Sequence, residues 1–413
     1  MEIDGTDTAY RGAAARWGLL QGGPQVGMPL STFVIKMSSR CNLDCDYCYV
    51  YHSKDDSWKR QPKAISTVII DSTLERIEEH VRAHALPSVS LVLHGGEPLL
   101  AGLDVIEYLL KRATELLGDV CFLELSMQSN GTLLSKEAID LFAKYDAAIG
   151  ISIDGYEDAN RHRVFRDGRP SFRETHQAIQ LLTSDDTGRR VLSGLLAVVD
   201  PRTDPLAVFD YLASHKPRSL DFLLPYATHD AYPKGKVSFN DTTYGDWLVA
   251  VFDRWFLSST QSFRIKYFDN IIALLLGGKS ETECLGHPPV NIVTIETNGD
   301  IEALDSLKVA YDGVTKLNLN VQTDSLDDAI GHPAILSRMQ GTDTLAAECR
   351  RCPLVDVCGG GYLPHRFSTR QGFLNPSVFC HDIAKVVLHV RQALLQSVSG
   401  GQIDTPESSA RSQ

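Results

Sequence analysis

The sequence predicts an α/β protein in which a parallel sheet with helices outside it precedes a smaller, cysteine-bearing module. Six runs of β-branched and aliphatic residues between Thr32 and Pro225 alternate with stretches of helical periodicity, the pattern of successive strand–helix units. Seven of the nine cysteines fall in two groups, Cys41, Cys45 and Cys48 near the start and Cys349, Cys352, Cys358 and Cys380 near the end. Clustered thiols without a secretion signal read as ligands of a metal or cluster rather than as disulfides.

Residues 1–30 are rich in Gly, Ala and Gln and read as a loose arm with one short helix around Ala13–Leu20. TFVIKMS (Thr32–Ser38) is the first strand, and the first cysteine group lies on the loop after it. A helix follows over Val68–His84, with Val68, Ile69, Leu74, Ile77 and Val81 as its apolar positions. Ser88–His94 is a strand, and Asp104 with Glu107 gives a capping-box start to a helix whose stripe includes Val105, Leu109, Ala113 and Leu116. Strands at Cys121–Met127, Ala147–Asp154, Val191–Val199 and Ser219–Pro225 alternate with helices at Ser135–Tyr145, Phe172–Thr183 and Leu206–His215. Beyond residue 226 the pattern changes: Asp246–Phe256 and Ile265–Leu275 read as bridging helices ending at Gly277-Gly278. Asp382–Ser397 reads as a closing helix and 398–413 as a polar, disordered tail. The expected division is therefore 1–30, 31–226, 227–280, 281–397 and 398–413.

Apolar content of 43% and charged content of 22% are those of a soluble globular protein. No apolar run is long enough to span a bilayer and no secretory pattern begins at Met1. Cytoplasm is the expected location, with no membrane partner. A net charge of −12 argues against a nucleic-acid partner.

CNLDCDYC places three thiols within reach of one ion or cluster. Three is the informative number, since a structural zinc is closed by four protein ligands and an ordinary iron–sulfur cluster by four cysteines. A zinc knuckle with a distant fourth ligand is the plain alternative. GGEP (Gly95, Gly96, Glu97, Pro98) ends the second strand; glycines allow close backbone approach to a ligand, and a carboxylate suits an ammonium group. Gln128, Ser129 and Asn130 end the third strand, where the bland reading is an Asn-Gly turn. Cys121 reads as a small core residue.

CNLDCDYC, with Tyr47 at the aromatic position, resembles the C-x-x-x-C-x-aromatic-C signature of radical S-adenosylmethionine (SAM) enzymes. The resemblance implies a partial (β/α)6 barrel and a [4Fe–4S] cluster on Cys41, Cys45 and Cys48 whose fourth iron takes SAM. It further implies that GGEP serves SAM's methionine part, that Gln128, Ser129 and Asn130 contact its ribose, and that Arg163 pairs with its carboxylate. The chain beyond Cys284 resembles a SPASM domain in which Leu304 and Tyr362 replace two of the cysteines. What this implies is one auxiliary [4Fe–4S] cluster on Cys349, Cys352, Cys358 and Cys380, no inner cluster, and Cys284 as a packed thiol. Zinc on the same four thiols is the alternative. His365 and Arg366 follow close behind, either tuning cluster potential or packing.

YHSKDDSWKRQP, YFDNIIALLLGG, IETNGDIEALDSLK and VCGGGYLPHRF resemble the FxsB-type, cyclophane-forming branch of radical SAM/SPASM peptide maturases. That resemblance implies a C–C crosslink between an aromatic ring and a β-carbon in a ribosomal precursor peptide with a leader. It also implies an external electron donor of flavodoxin or ferredoxin type; Asp305, beside Leu304, stands where related formylglycine-forming maturases place a catalytic Asp and is the candidate catalytic base, with a salt-bridged structural Asp in LDSLK as the alternative. A sulfatase-type formylglycine maturase and a thioether-forming maturase are the alternatives, and a noncatalytic metal-stabilised binding module is the competitor from another class.

Overall fold

The computed structural model describes residues 27–258, 263–339 and 341–400. The expected helix around Ala13–Leu20 and residues 401–413 of the expected tail lie outside the described residues.

Six strands, β1 (Thr32–Ser38), β2 (Ser88–Gly95), β3 (Phe122–Ser129), β4 (Ala148–Ser152), β5 (Leu192–Val198) and β6 (Ser219–Leu223), pair in parallel in chain order. Helices Thr67–His84, Leu103–Leu117, Lys136–Lys144, Phe172–Thr183 and Pro205–Ser214 connect them, with an additional short helix, Asp186–Val191, leading into β5. Side-chain caps set several helix starts: Ser66 accepts from the Ile69 amide, Ser135 from Ala138, and Asp204 from Leu206 and Ala207. The α/β expectation holds, with local corrections. Val68 is 60% exposed, and Ile70 and Thr73 turn inward instead. No capping box forms at Asp104 and Glu107. Gly102, at φ 91°, turns the chain so that Leu103 already begins the helix, and Ile106, Leu109, Leu110, Ala113 and Leu117 form its buried face.

Alternation along β1 separates two environments. The Phe33 ring meets His80 of helix Thr67–His84 edge-on at 6.4 Å, so Phe33, Ile35 and Met37 face the helices. Lys36 faces the concave side, in register with His94 of β2. Further along that side Gln128 donates to Ser152 at 2.8 Å. The concave face is therefore polar near the strand ends.

The sheet does not stop at six strands. β7 (Arg264–Ile265) adds to β6, and β8 (Ile292–Ile295) pairs in parallel with β1. β9 (Asp300–Glu302) and β10 (Lys316–Asn320) continue antiparallel from β8. The result is one ten-stranded sheet in the order β10-β9-β8-β1-β2-β3-β4-β5-β6-β7. Segments 31–226, 227–280 and 281–397 thus share a single sheet. Strands of two to five residues carry too little periodicity to read from sequence.

The closing helix runs over Cys380–Gly400, so residues 398–400 of the expected tail are helical. It packs on helix Thr243–Phe256 through His389 against Phe252 (5.8 Å between rings), and Phe379, just before its start, packs against Tyr244 (5.1 Å). Among the described residues no helix is long and apolar enough to cross a membrane. Lys236 and Asp382, both wholly buried, form an ion pair at 2.7 Å, and Asp382 also accepts from the Gly245 amide at 2.8 Å. Lys236→Met strands a buried carboxylate and is expected to lower unfolding free energy by about 3–5 kcal/mol. In urea unfolding of anaerobically purified protein, the double variant Lys236→Met/Asp382→Leu should recover most of that loss.

Candidate active site

The cysteine loop leaves β1 at Ser38 and folds over the strand ends. The Cys48 amide donates to the Cys45 carbonyl at 2.9 Å. Cys41 Sγ accepts from the Leu43 amide at 3.3 Å and lies 3.7 Å from Asn130 Nδ2. Burial first, and then the negative charge of neighbouring thiolates and carboxylates, pushes Cys41 up to about 12 and Cys45 up to about 11, and burial raises Cys48. Thiols this reluctant to ionise unaided lose their protons outright when coordinated to iron. The donor set fits a cluster held at three corners.

Beside it runs a buried polar chain. Arg163 Nη1 donates to Tyr47 Oη at 2.8 Å, and Tyr47 in turn donates to Asp154 at 2.5 Å. Asp154 is anchored from behind by the Val198 amide at 3.0 Å. Arg163 Nε is buried without a partner. A guanidinium facing Cys45 with one donor unmet can hold the carboxylate of a small molecule seated on that loop.

GGEP serves differently from its first reading. Glu97 is wholly buried, and its carboxylate accepts from the Ser129 hydroxyl (2.8 Å), the Asn130 amide (2.8 Å) and the Leu99 amide (3.2 Å). Burial outweighs these donors and pushes it up to about 7. Its oxygens thus hold the end of β3 and are not presented to an ammonium group. The glycines admit neighbouring chain: a Cβ on Gly95 (φ 147°) would lie 2.2 Å from the Ser38 carbonyl oxygen, and one on Gly96 would lie 1.9 Å from Tyr51 Oη. Pro98 is buried in the short turn that follows. Asn130 in turn bonds Asn42 of the cysteine loop at 3.0 Å.

A chamber of about 400 Å³ opens beside the loop. Tyr47, Cys48 and Asp154 line it, joined by Tyr49, Arg202, Tyr226 and Lys234. Gly95, Gly96, Glu97, Pro98, Gln128, Ser129, Asn130 and Arg163 are not in its wall. Tyr226, Arg202 and Lys234 carry no motif in the sequence; their only signal is a place on loops after strands.

The second thiol set comes together from two short helices and the first residue of the closing helix. Cys349 lies in helix Ala347–Arg350, Cys358 in Val355–Cys358, and Cys380 opens the closing helix, with Cys352 between the first two. Burial raises Cys349 and pushes Cys358 up to about 12 and Cys380 up to about 11, and neighbouring thiols add to each rise. Gly359, Gly360 and Gly361 all sit at positive φ (64°, 76° and 70°), and a Cβ on Gly359 would lie 1.7 Å from the Gly286 carbonyl oxygen. Only glycine can make this turn. It aims the Gly359 and Gly361 carbonyls at buried Arg366, whose Nη2 donates to them at 3.1 and 2.8 Å. Arg366 faces Cys349 and Cys358, and burial lowers it to about 10. Four converging thiols with a cation behind them fit a fully ligated cluster.

Cys284 stands apart from both sets, in the wall of a second cavity with Tyr362 and His365. Cys121 packs against the core just before β3. Asp305 is buried and bonded to Lys36, with its other oxygen 3.5 Å from Lys308. Lys308 also meets Glu296 at 2.7 Å and Glu302 at 3.3 Å. Three carboxylates this close could hold a cation, but two ammonium groups already occupy the place. Asp305 does not line the chamber.

Residues 35–198 match the Radical SAM superfamily. The chain is 25% identical over 385 residues to a serine-type anaerobic sulfatase-maturating enzyme of Bacteroides thetaiotaomicron, covering 88% of this chain and 89% of the relative. It is also 25% identical over 360 residues to a cysteine-type anaerobic sulfatase-maturating enzyme of Clostridium perfringens, covering 86% and 94%. Among solved structures, native anSMEcpe with bound AdoMet superposes at a TM-score of 0.75 with 22% identity, covering 89% of this chain and 99% of that one. Streptococcus suis SuiB bound to precursor peptide SuiA superposes at 0.55 with 16% identity, covering 86% and 76%. These likenesses bear out the partial-barrel fold. With a three-thiol loop at the strand ends and the superfamily match across β1 to β5, the chain is a radical SAM enzyme, with S-adenosylmethionine and iron–sulfur clusters as its cofactors.

Proposed function

We propose that this enzyme oxidises a residue of a ribosomally made polypeptide at its β-carbon. The observation that carries the reading is a chamber large enough for a peptide segment whose wall includes Cys48 of the three-thiol loop with Tyr47 and Asp154, the two residues that tie Arg163 to that loop. In this reading Cys41, Cys45 and Cys48 hold the SAM-binding [4Fe–4S] cluster, and Cys349, Cys352, Cys358 and Cys380 hold the auxiliary one. Held by these residues, a reduced cluster would supply the electron for reductive cleavage of SAM, and so hydrogen-atom abstraction chemistry. Arg163 offers its unmet Nε to SAM's carboxylate, Tyr47 fixes that guanidinium, and Gly95, Gly96 and Pro98 shape the adjoining turn. Glu97 positions Ser129 and Asn130, while Gln128 faces the concave side. Leader binding and electron supply by a flavodoxin- or ferredoxin-type donor belong to the same reading.

Two products follow from one such oxidation. Formylglycine, made at a serine or cysteine, is supported by the sulfatase-maturating relatives. A carbon–carbon crosslink to an aromatic ring is supported by Tyr362 and Leu304 at two positions that carry cysteine in the SPASM pattern. Incubation with SAM, dithionite and candidate peptides separates them: both outcomes release 5′-deoxyadenosine, but only formylglycine reacts with a hydrazide probe. A sulfur-bridged product by mass spectrometry would replace both with thioether formation.

For the proton lost in the oxidation, Asp305 is the proposed acceptor, through the oxygen that makes no hydrogen bond. Asp305→Asn is expected to reduce modified peptide while leaving 5′-deoxyadenosine release near wild type. Equal loss of both, or of neither, removes the role. Arg366 is proposed to stabilise the extra negative charge of the reduced auxiliary cluster. EPR-monitored titration of Arg366→Met should find that cluster's midpoint at a more negative potential than in wild type.

A further inference from the structure

Between the chamber and the four-cysteine set lies the second cavity, of about 340 Å³. Its wall brings together Phe222 from β6, Tyr267 from helix Lys266–Leu275, then Tyr362 and His365, with Cys284 beside them and polar residues such as Asn270 and Glu283 completing it. Tyr226 borders both cavities, so the two adjoin. It is not a cation site, because its acidic groups are already answered. Glu283 is ion-paired with Arg338, and Glu281 lies 3.5 Å from the Arg264 guanidinium. Asp221 is engaged by the Phe222 and Tyr267 backbone amides, and burial pushes its carboxyl up to about 6.

What the wall leaves unmet is specific. Tyr267 Oη and both ring nitrogens of His365 are buried without a hydrogen bond of good geometry, although these residues are only 6% and 2% exposed. Buried polar groups of this kind call for a partner. Burial lowers His365 to about 3, so the ring is neutral, with one nitrogen donating and the other accepting. The Pro225 backbone approaches the ring and favours the hydrogen on the nearer nitrogen, leaving a lone pair on the other. Tyr267 can donate. A matching ligand has a flat apolar body and a tip that both donates and accepts. A phenol has both, an indole N–H only donates, and a phenyl ring does neither.

We propose that this cavity receives the phenol side chain of a tyrosine in the peptide substrate, its hydroxyl set between Tyr267 Oη and His365 while a neighbouring residue occupies the chamber. The assignment rests on the peptide-oxidation reading and narrows its substrate class to segments carrying a tyrosine close to the modified residue.

Calorimetry on the anaerobically reconstituted holoenzyme, with p-cresol, toluene and N-acetyltryptophanamide as probes, tests it. p-Cresol should bind saturably and more tightly than toluene, and Tyr267→Phe, which keeps the ring, should weaken p-cresol roughly tenfold while leaving toluene unchanged. Cys284→Phe, which fills the cavity, should abolish binding of both. Equal affinity for p-cresol and toluene, tighter binding of the tryptophan derivative, or p-cresol binding undiminished by Cys284→Phe overturns the proposal. Failure of the peptide reading is separately visible: an enzyme that cleaves SAM yet modifies no peptide, but binds p-cresol as described, retains the phenol site and loses the reading.

Discussion

The mouth of the barrel is organised around charges that have no water to turn to. Lys36 reaches from β1 to Asp305, Lys308 reaches to Asp305, Glu296 and Glu302, and Thr315 closes the group by donating to Glu302 at 2.8 Å. All five charged side chains are buried. Isolated, each would carry a desolvation cost of several kcal/mol, so each is tenable only while the others stay in place. Lys36 belongs to the barrel and the other four to the segment that continues the sheet past β8. The cluster therefore fixes that segment against the strand from which the cysteine loop departs, and burial lowers Lys36 to about 8 despite the surrounding carboxylates.

A second lock acts on the loop from the other side. Glu97 secures the end of β3, Asn130 at that end secures Asn42, and Asp154 secures Tyr47 and through it Arg163. Each thiol is thus flanked by groups whose own positions are set by strands rather than by the loop. This is the arrangement needed for donors that must stand ready before a cluster or cosubstrate arrives. The four-cysteine set uses a different device, a run of left-handed glycines that brings two carbonyls onto Arg366.

Spacing made Cys41, Cys45 and Cys48 legible, since cysteines within a few residues can meet without knowledge of the fold, whereas Cys380, well beyond Cys358, joined its set only through the resemblance to the SPASM pattern. Alternating hydrophobicity made β1 to β6 legible for the same local reason. What sequence could not reveal depends on partners far along the chain. Glu97 reads as a ligand group until Ser129 and Asn130 are seen to claim its oxygens. Asp104 reads as a cap until the backbone at Gly102 shows the helix already begun. Asp305 reads either as a base or as a salt-bridged structural residue, and only the fold names Lys36 as its partner, 269 positions away. The second cavity has no local signature at all, because its wall draws on β6, a helix, and loops spread between Asp221 and Ile383.

The pairing of β1 with β8 also governs how the polypeptide can be made. Thr32 to Ile35 lie against Ile292 to Ile295, so nearly 260 residues must leave the ribosome before that flank of β1 is covered. Until then a nascent chain with its first six strands assembled displays an apolar, unsatisfied backbone edge, the feature by which strands recruit the wrong neighbour. Productive synthesis of this enzyme accordingly depends on shielding that edge, and expression that outruns the shielding should show up as insoluble protein rather than as inactive soluble enzyme.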